Sequence, residues 1–130
     1  MDRTQDWLKQ AKSNLEASNH LFNAKDFSWS CFLAQQTAEK AIKALGEYKK
    51  TVLWGHDLVD LLSELEKKVS IPKKIIDNSK ILNLYYISTR YPDAFASGAP
   101  ADKFSKSQAQ KAIEFASEIL DYVEKTIQPD

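Results

Sequence analysis

Glycine is scarce in this sequence: Gly46, Gly55 and Gly98 are the only three among 130 residues. Scattered this widely, they cannot build a GxxxxGK[ST] or GxGxxG phosphate loop, and no GxSxG nucleophile elbow is present. Cys31 is the sole cysteine, which excludes a disulfide within the chain and argues against a zinc site made of thiolates. The two histidines, His20 and His56, stand far apart and outside any HExxH spacing, so the sequence offers no metal site and implies no cofactor. No apolar run approaches the length of a membrane span, and the opening MDRTQDWLKQ lacks a signal-peptide core; the expectation is a soluble, cytoplasmic protein. Eighteen acidic residues balance eighteen basic ones, so net charge supplies no general attraction to nucleic acid or to anionic membrane. Arginine is the scarcest base, with Arg3 and Arg90 set against sixteen lysines.

What remains is helical periodicity. The four prolines and three glycines fall mostly between periodic segments, and no stretch alternates with period two. A first helix is predicted over 2–23, with Leu8, Ala11, Leu15, Ser18 and Phe22 on one stripe. A second runs from Asp26, a candidate N-cap, to about Lys50, with an end or bend expected at Gly46. Its small residues Cys31, Ala34, Ala38 and Ala41 would let a neighbour approach closely. A short third helix follows WGHDL, and a fourth starts at Pro72 and reaches about Arg90. The last begins at Ser105 or Ser107, where SQAQ fits a capping box. About five helices in one domain spanning 1–130 predict an all-α, antiparallel up-and-down bundle. The connection 91–104 is long enough to suggest a role of its own.

Two regions are candidates for function. Gln36, Glu39, Lys40 and Lys43 share a narrow arc of the second helix, opposite its apolar stripe. A solvated face with a Glu39–Lys43 ion pair explains them simply. Trp29 and Phe32 continue that arc one turn earlier, however, and two large aromatics there need a cover, from this chain or from a partner. Aromatics grading into Gln36 and Glu39 have the composition of an interface with a polar rim. The second region is STRYPDAF, 88–95. Pro92 forces Tyr91 out of the helix, which leaves Arg90 at its end. Lysine would satisfy the helix dipole there as well, whereas only arginine offers paired donors to a phosphate or carboxylate. A local Arg90–Asp93 brace and a ligand contact are both open. His56 could exchange a proton near neutral pH, and Asp57 suits the start of the third helix as a cap.

Taken together, FLAQQTAEKAIKAL (32–45), GHDLVDLL (55–62) and STRYPDAF (88–95) resemble the HEPN family, in order and spacing over nearly the whole chain. The resemblance implies a helical bundle that commonly forms a homodimer. It also implies a minimal nucleotidyltransferase as a partner, in toxin–antitoxin pairs, and nucleotide binding in some members. On this basis Gln36, Glu39, Lys40 and Lys43 match the family's polar helix motif, His56 and Asp57 its His-Asp-Leu element, and Arg90, Tyr91, Pro92 and Asp93 its Arg-Tyr-Pro-Asp element. The ribonuclease branch carries a histidine four to six residues after an arginine. No histidine follows Arg90, and none follows Arg3 before His20. The expectation is therefore a non-catalytic module binding a ligand through Arg90, Tyr91, Asp93, Lys40, Lys43, His56 and Asp57. The alternatives are a metal-independent ribonuclease with a divergent site and a purely structural dimer.

Overall fold

The structure, a computed structural model, describes residues 1–127. All regular structure among them is helical: α1 (Thr4–Asn23), α2 (Phe27–Tyr48), α3 (Leu58–Leu65), α4 (Lys73–Asn83), α5 (Tyr85–Ser88) and α6 (Lys106–Ile127). The expected five-helix bundle is present, with its fourth helix interrupted. At Leu84 the backbone tightens, its N–H donating to the carbonyl of Ile81, three residues back. The helical run also stops at Ser88, so Arg90 lies in the turn beyond it.

Helix α2 is the central element, packed against α1 and α6 along its length. Its small residues do what their size predicts: Cys31, Ala34, Ala38 and Ala41 are fully buried. Where α1 and α2 cross, Ser18 and Ser30 exchange hydrogen bonds, each hydroxyl donating to the other's carbonyl at 2.7 and 2.9 Å. This satisfies two buried hydroxyls and holds the two backbones close. Leu45, Leu58, Leu61, Leu65, Leu82 and Ile119 supply the bulk of the core.

The shortage of glycine reappears at the helix ends. Both α1 and α2 close with the paired 6→1 and 5→2 hydrogen bonds of a Schellman motif, Asp26→Leu21 with Lys25→Phe22, and Thr51→Gly46 with Lys50→Glu47. The left-handed position usually given to glycine holds Lys25 (φ 66°) and Lys50 (φ 57°). Helix α2 runs on through Gly46 to Tyr48, so it does not end at the glycine. Gly46 is bare because Leu53 packs on it: a Cβ there would meet Leu53 Cδ1 at 2.6 Å.

Asp26 occupies the N-cap position of α2, but its side chain makes no capping bond. At α6 a capping box forms two residues before the predicted SQAQ (107–110), on Ser105 and Gln108: Gln108 N–H donates to Ser105 Oγ and Ser105 N–H to Gln108 Oε1. The connection 91–104 folds into two 3-10 turns, Pro92–Ala94 and Pro100–Asp102. Its own aromatics pack it down, Phe104 lying edge-on to both Tyr85 and Phe95. Among the described residues no helix is long and apolar enough to cross a membrane.

Candidate functional site

The polar arc of α2 is not a solvated face. The segment 51–57 folds back across it, and the His56 carbonyl accepts from Gln35 Nε2 at 3.3 Å. Glu39 is left 2 % exposed, an inside position that sequence spacing alone assigned to the surface. Its carboxylate is nonetheless well served. Lys40 Nζ and Lys43 Nζ reach Oε2 at 3.4 and 3.2 Å, and His56 Nδ1 lies 3.0 Å from Oε1. Lys40 also donates to Gln36 Oε1 at 2.8 Å. Burial by itself would raise the Glu39 pKa, but the charge of Lys40, the hydrogen bond from His56 and the charge and hydrogen bond of Lys43 outweigh it. The carboxyl is held below its ordinary value and stays ionised.

With Glu39 ionised, the hydrogen of a neutral His56 ring belongs on Nδ1, facing the carboxylate. That leaves Nε2 as the free nitrogen of a ring that is half exposed. The other constraint on the ring is Tyr86, stacked on it at 4.5 Å between centroids and 17° between planes. Tyr86 in turn receives Arg90. The guanidinium carbon lies 4.3 Å from the Phe32 ring centre, 4.7 Å from Tyr86 and 5.0 Å from Tyr91. Arg90 Nε and Nη2 both donate to the Tyr86 carbonyl, the first at 2.9 Å. No carboxylate of the described residues pairs with Arg90; the brace to Asp93 is absent, and Asp93 is exposed in the turn.

Of the residues singled out in the sequence, Phe32, Gln36, Glu39, Lys40, Lys43, His56, Arg90 and Tyr91 thus form one corner of the bundle. Trp29 borders it, edge-on to Phe32 at 6.1 Å and half exposed. Asp57 does what a cap residue should: Oδ1 accepts from Val59 and Asp60 N–H, at 3.0 and 3.2 Å. A hydrogen bond from Asn83 is the leading cause that keeps its pKa low. Three members of the corner were missed. Gln35, Tyr86 and Asn83 carry no charge and belong to no chemical motif. The breadth of apolar positions on the fourth helix, with its Tyr85-Tyr86 pair, was the one available signal for Tyr86. Beside the corner, α5 and the residues flanking it present Leu84, Ile87 and Tyr91 to solvent, 68, 50 and 48 % exposed.

Residues 4–126 match the HEPN domain. TT1696 of Thermus thermophilus is 41 % identical, with a TM-score of 0.93 over 96 % of this chain and 98 % of that one. ST0689, described as an archaeal HEPN homologue, is 33 % identical with a TM-score of 0.85, over 98 % of this chain and all of its own. A curated relative from Methanocaldococcus jannaschii, named "Putative toxin MJ1304", is 24 % identical over 130 residues, 90 % of this chain and 83 % of the relative.

Proposed function

This chain belongs to the HEPN family, and we propose that it is a homodimeric module whose Arg90 corner binds the phosphate of a nucleotide. The observation that carries this reading is Arg90 itself: a guanidinium laid among Phe32, Tyr86 and Tyr91 and anchored by one carbonyl, with no carboxylate of the described residues to neutralise it. Nη1 is left to meet an anion, while Lys40 adds positive field from α2. The half-exposed Tyr91 offers an aromatic face on which a base can stack. A minimal nucleotidyltransferase is the partner this family membership favours, and the toxin name of the archaeal relative agrees with a toxin–antitoxin-like pair. Calorimetric titration with ATP, GTP and their monophosphates tests the ligand half of the reading. Absence of heat with all of them overturns it.

The Glu39–His56 pair supports a second reading, a ribonuclease with a divergent site. A histidine oriented through Nδ1 by a carboxylate keeps Nε2 available for proton exchange, the arrangement that general base chemistry uses. This reading requires RNA cleavage in EDTA that disappears in both His56→Ala and Arg90→Ala. Cleavage that persists unchanged in either variant rules it out.

A further inference from the structure

Onto α2 the corner adds two pieces of chain that are far apart in sequence. His56 comes from the segment leading into α3, whereas Tyr86 and Arg90 come from α5 and the turn after it. Asn83, the last residue of α4, joins the two pieces. Its Nδ2 donates to Asp57 Oδ1 at 2.8 Å, and its Oδ1 accepts the backbone N–H of Leu58, also at 2.8 Å. One amide therefore uses both ends on adjacent residues of the opposing segment. It does so one residue away from His56, and three residues before the ring on which His56 stacks.

We propose that Asn83 is the positioning residue of this corner: it fixes the His56 segment against α5 and so sets the separation of His56 from Arg90. The proposal rests on reading the corner as a ligand site. Its physical content concerns the ligand-free protein, however. The helical run is interrupted directly after Asn83, at Leu84, and α5 is a single turn with no fully buried residue. Such an element draws little orientation from its own packing. The remaining links from the His56 segment toward the α4–α5 unit include an aromatic stack without hydrogen-bond direction, whereas Asn83 contributes two directed bonds. Asparagine fits because the task needs one donor and one acceptor in a plane. Aspartate would set a second carboxylate against Asp57, and alanine would leave the Leu58 N–H without its partner.

The two histidines give a direct readout. In wild type, stacking on Tyr86 should displace the His56 ring protons upfield in the NMR spectrum relative to those of His20, which has no aromatic stack among the described residues. Asn83→Ala should remove much of that displacement while helical circular dichroism stays intact. The exchanged pair, Asp57→Asn with Asn83→Asp, should restore it. The amide then at position 57 can cap α3 and donate to the carboxylate at position 83, while that carboxylate accepts from the Leu58 N–H. Asn83→Asp alone, the same size as the native residue, should lose the displacement and serves if the alanine variant does not fold. AMP affinity should fall roughly tenfold in Asn83→Ala and recover in the exchanged pair. A wild type without the upfield displacement, or one in which neither single variant changes it, overturns the proposal. If wild type binds no AMP but the displacement still follows Asn83, the positioning role stands and the ligand reading falls.

Discussion

His56 Nδ1 lies 3.0 Å from Glu39 Oε1, so the half-exposed imidazole is tethered to the one buried acidic side chain among the described residues. The pairing explains how α2 tolerates a carboxylate inside. Lys40, Lys43, Gln35 and Gln36 complete its shell, and no buried side-chain polar atom among the described residues lacks a partner.

The Glu39 shell predicts a pH signature. Its folded pKa is depressed, so the stabilisation is fully present above the unfolded pKa of about 4.3 and is lost as pH falls through the lower folded value. Urea midpoints should decline over that acidic window, and Glu39→Gln should flatten the decline. At neutral pH the substitution should cost roughly 2 kcal/mol, because two lysines lose their anion. A Glu39→Gln profile parallel to wild type would show that the carboxylate is not linked to folding.

Lysine in the left-handed position of two helix ends is a correctable strain. Lys50→Gly should stabilise the protein by roughly 1 kcal/mol, and Lys25→Gly by a similar amount. Thermal melts of the single and double variants would check this, with near-additive gains expected from separate sites. A loss of stability would mean that the lysine side chains contribute more than their backbone angle costs.

Gly46→Ala tests the opposite case. Helix propensity favours alanine by about 1 kcal/mol, yet the new Cβ would lie 2.6 Å from Leu53 Cδ1 and 3.0 Å from the Thr51 carbonyl oxygen. Net destabilisation of about 1–3 kcal/mol is expected, the cost of overpacking. Leu53→Ala in the same chain should relieve part of it. A stabilised Gly46→Ala would show that the loop moves aside freely.

The fold was legible because period-3.6 stripes, the proline at 72 and the serines at 105 and 107 are local signals that tertiary contacts did not override, although the capping box sits on Ser105 and Gln108 and not on SQAQ. The corner was half legible. Arg90 was conspicuous as one of two arginines, and the aromatics Trp29 and Phe32 were out of place on a polar arc. Glu39 was assigned to the wrong environment because angular position on a helix says nothing of a loop returning across it. Gly46 misled for the same reason, since its cause is Leu53, seven residues later. Asn83 left no trace, because its role depends on the meeting of α4 with the start of α3.

For the proposed homodimer, the exposed apolar residues beside the corner, Leu84, Ile87 and Tyr91, offer a candidate face. Ile87→Glu places a charge at a half-exposed position whose side chain takes no part in the Arg90 or His56 stacks. Light scattering should give a dimer mass for wild type and a monomer mass for the variant. A variant that keeps the dimer mass would place the contact elsewhere.

The central claim, that Arg90 is a ligand-binding arginine, is tested most directly by a substitution that preserves its charge. In calorimetric titration with ATP and AMP, Arg90→Lys should bind at least about tenfold more weakly than wild type. An ammonium keeps the charge but cannot lie flat among the three rings, hold the Tyr86 carbonyl with two donors and turn a third nitrogen to the anion. Equal affinity in Arg90→Lys and wild type would contradict the account, because the guanidinium would then be no more than a positive charge closing a helix.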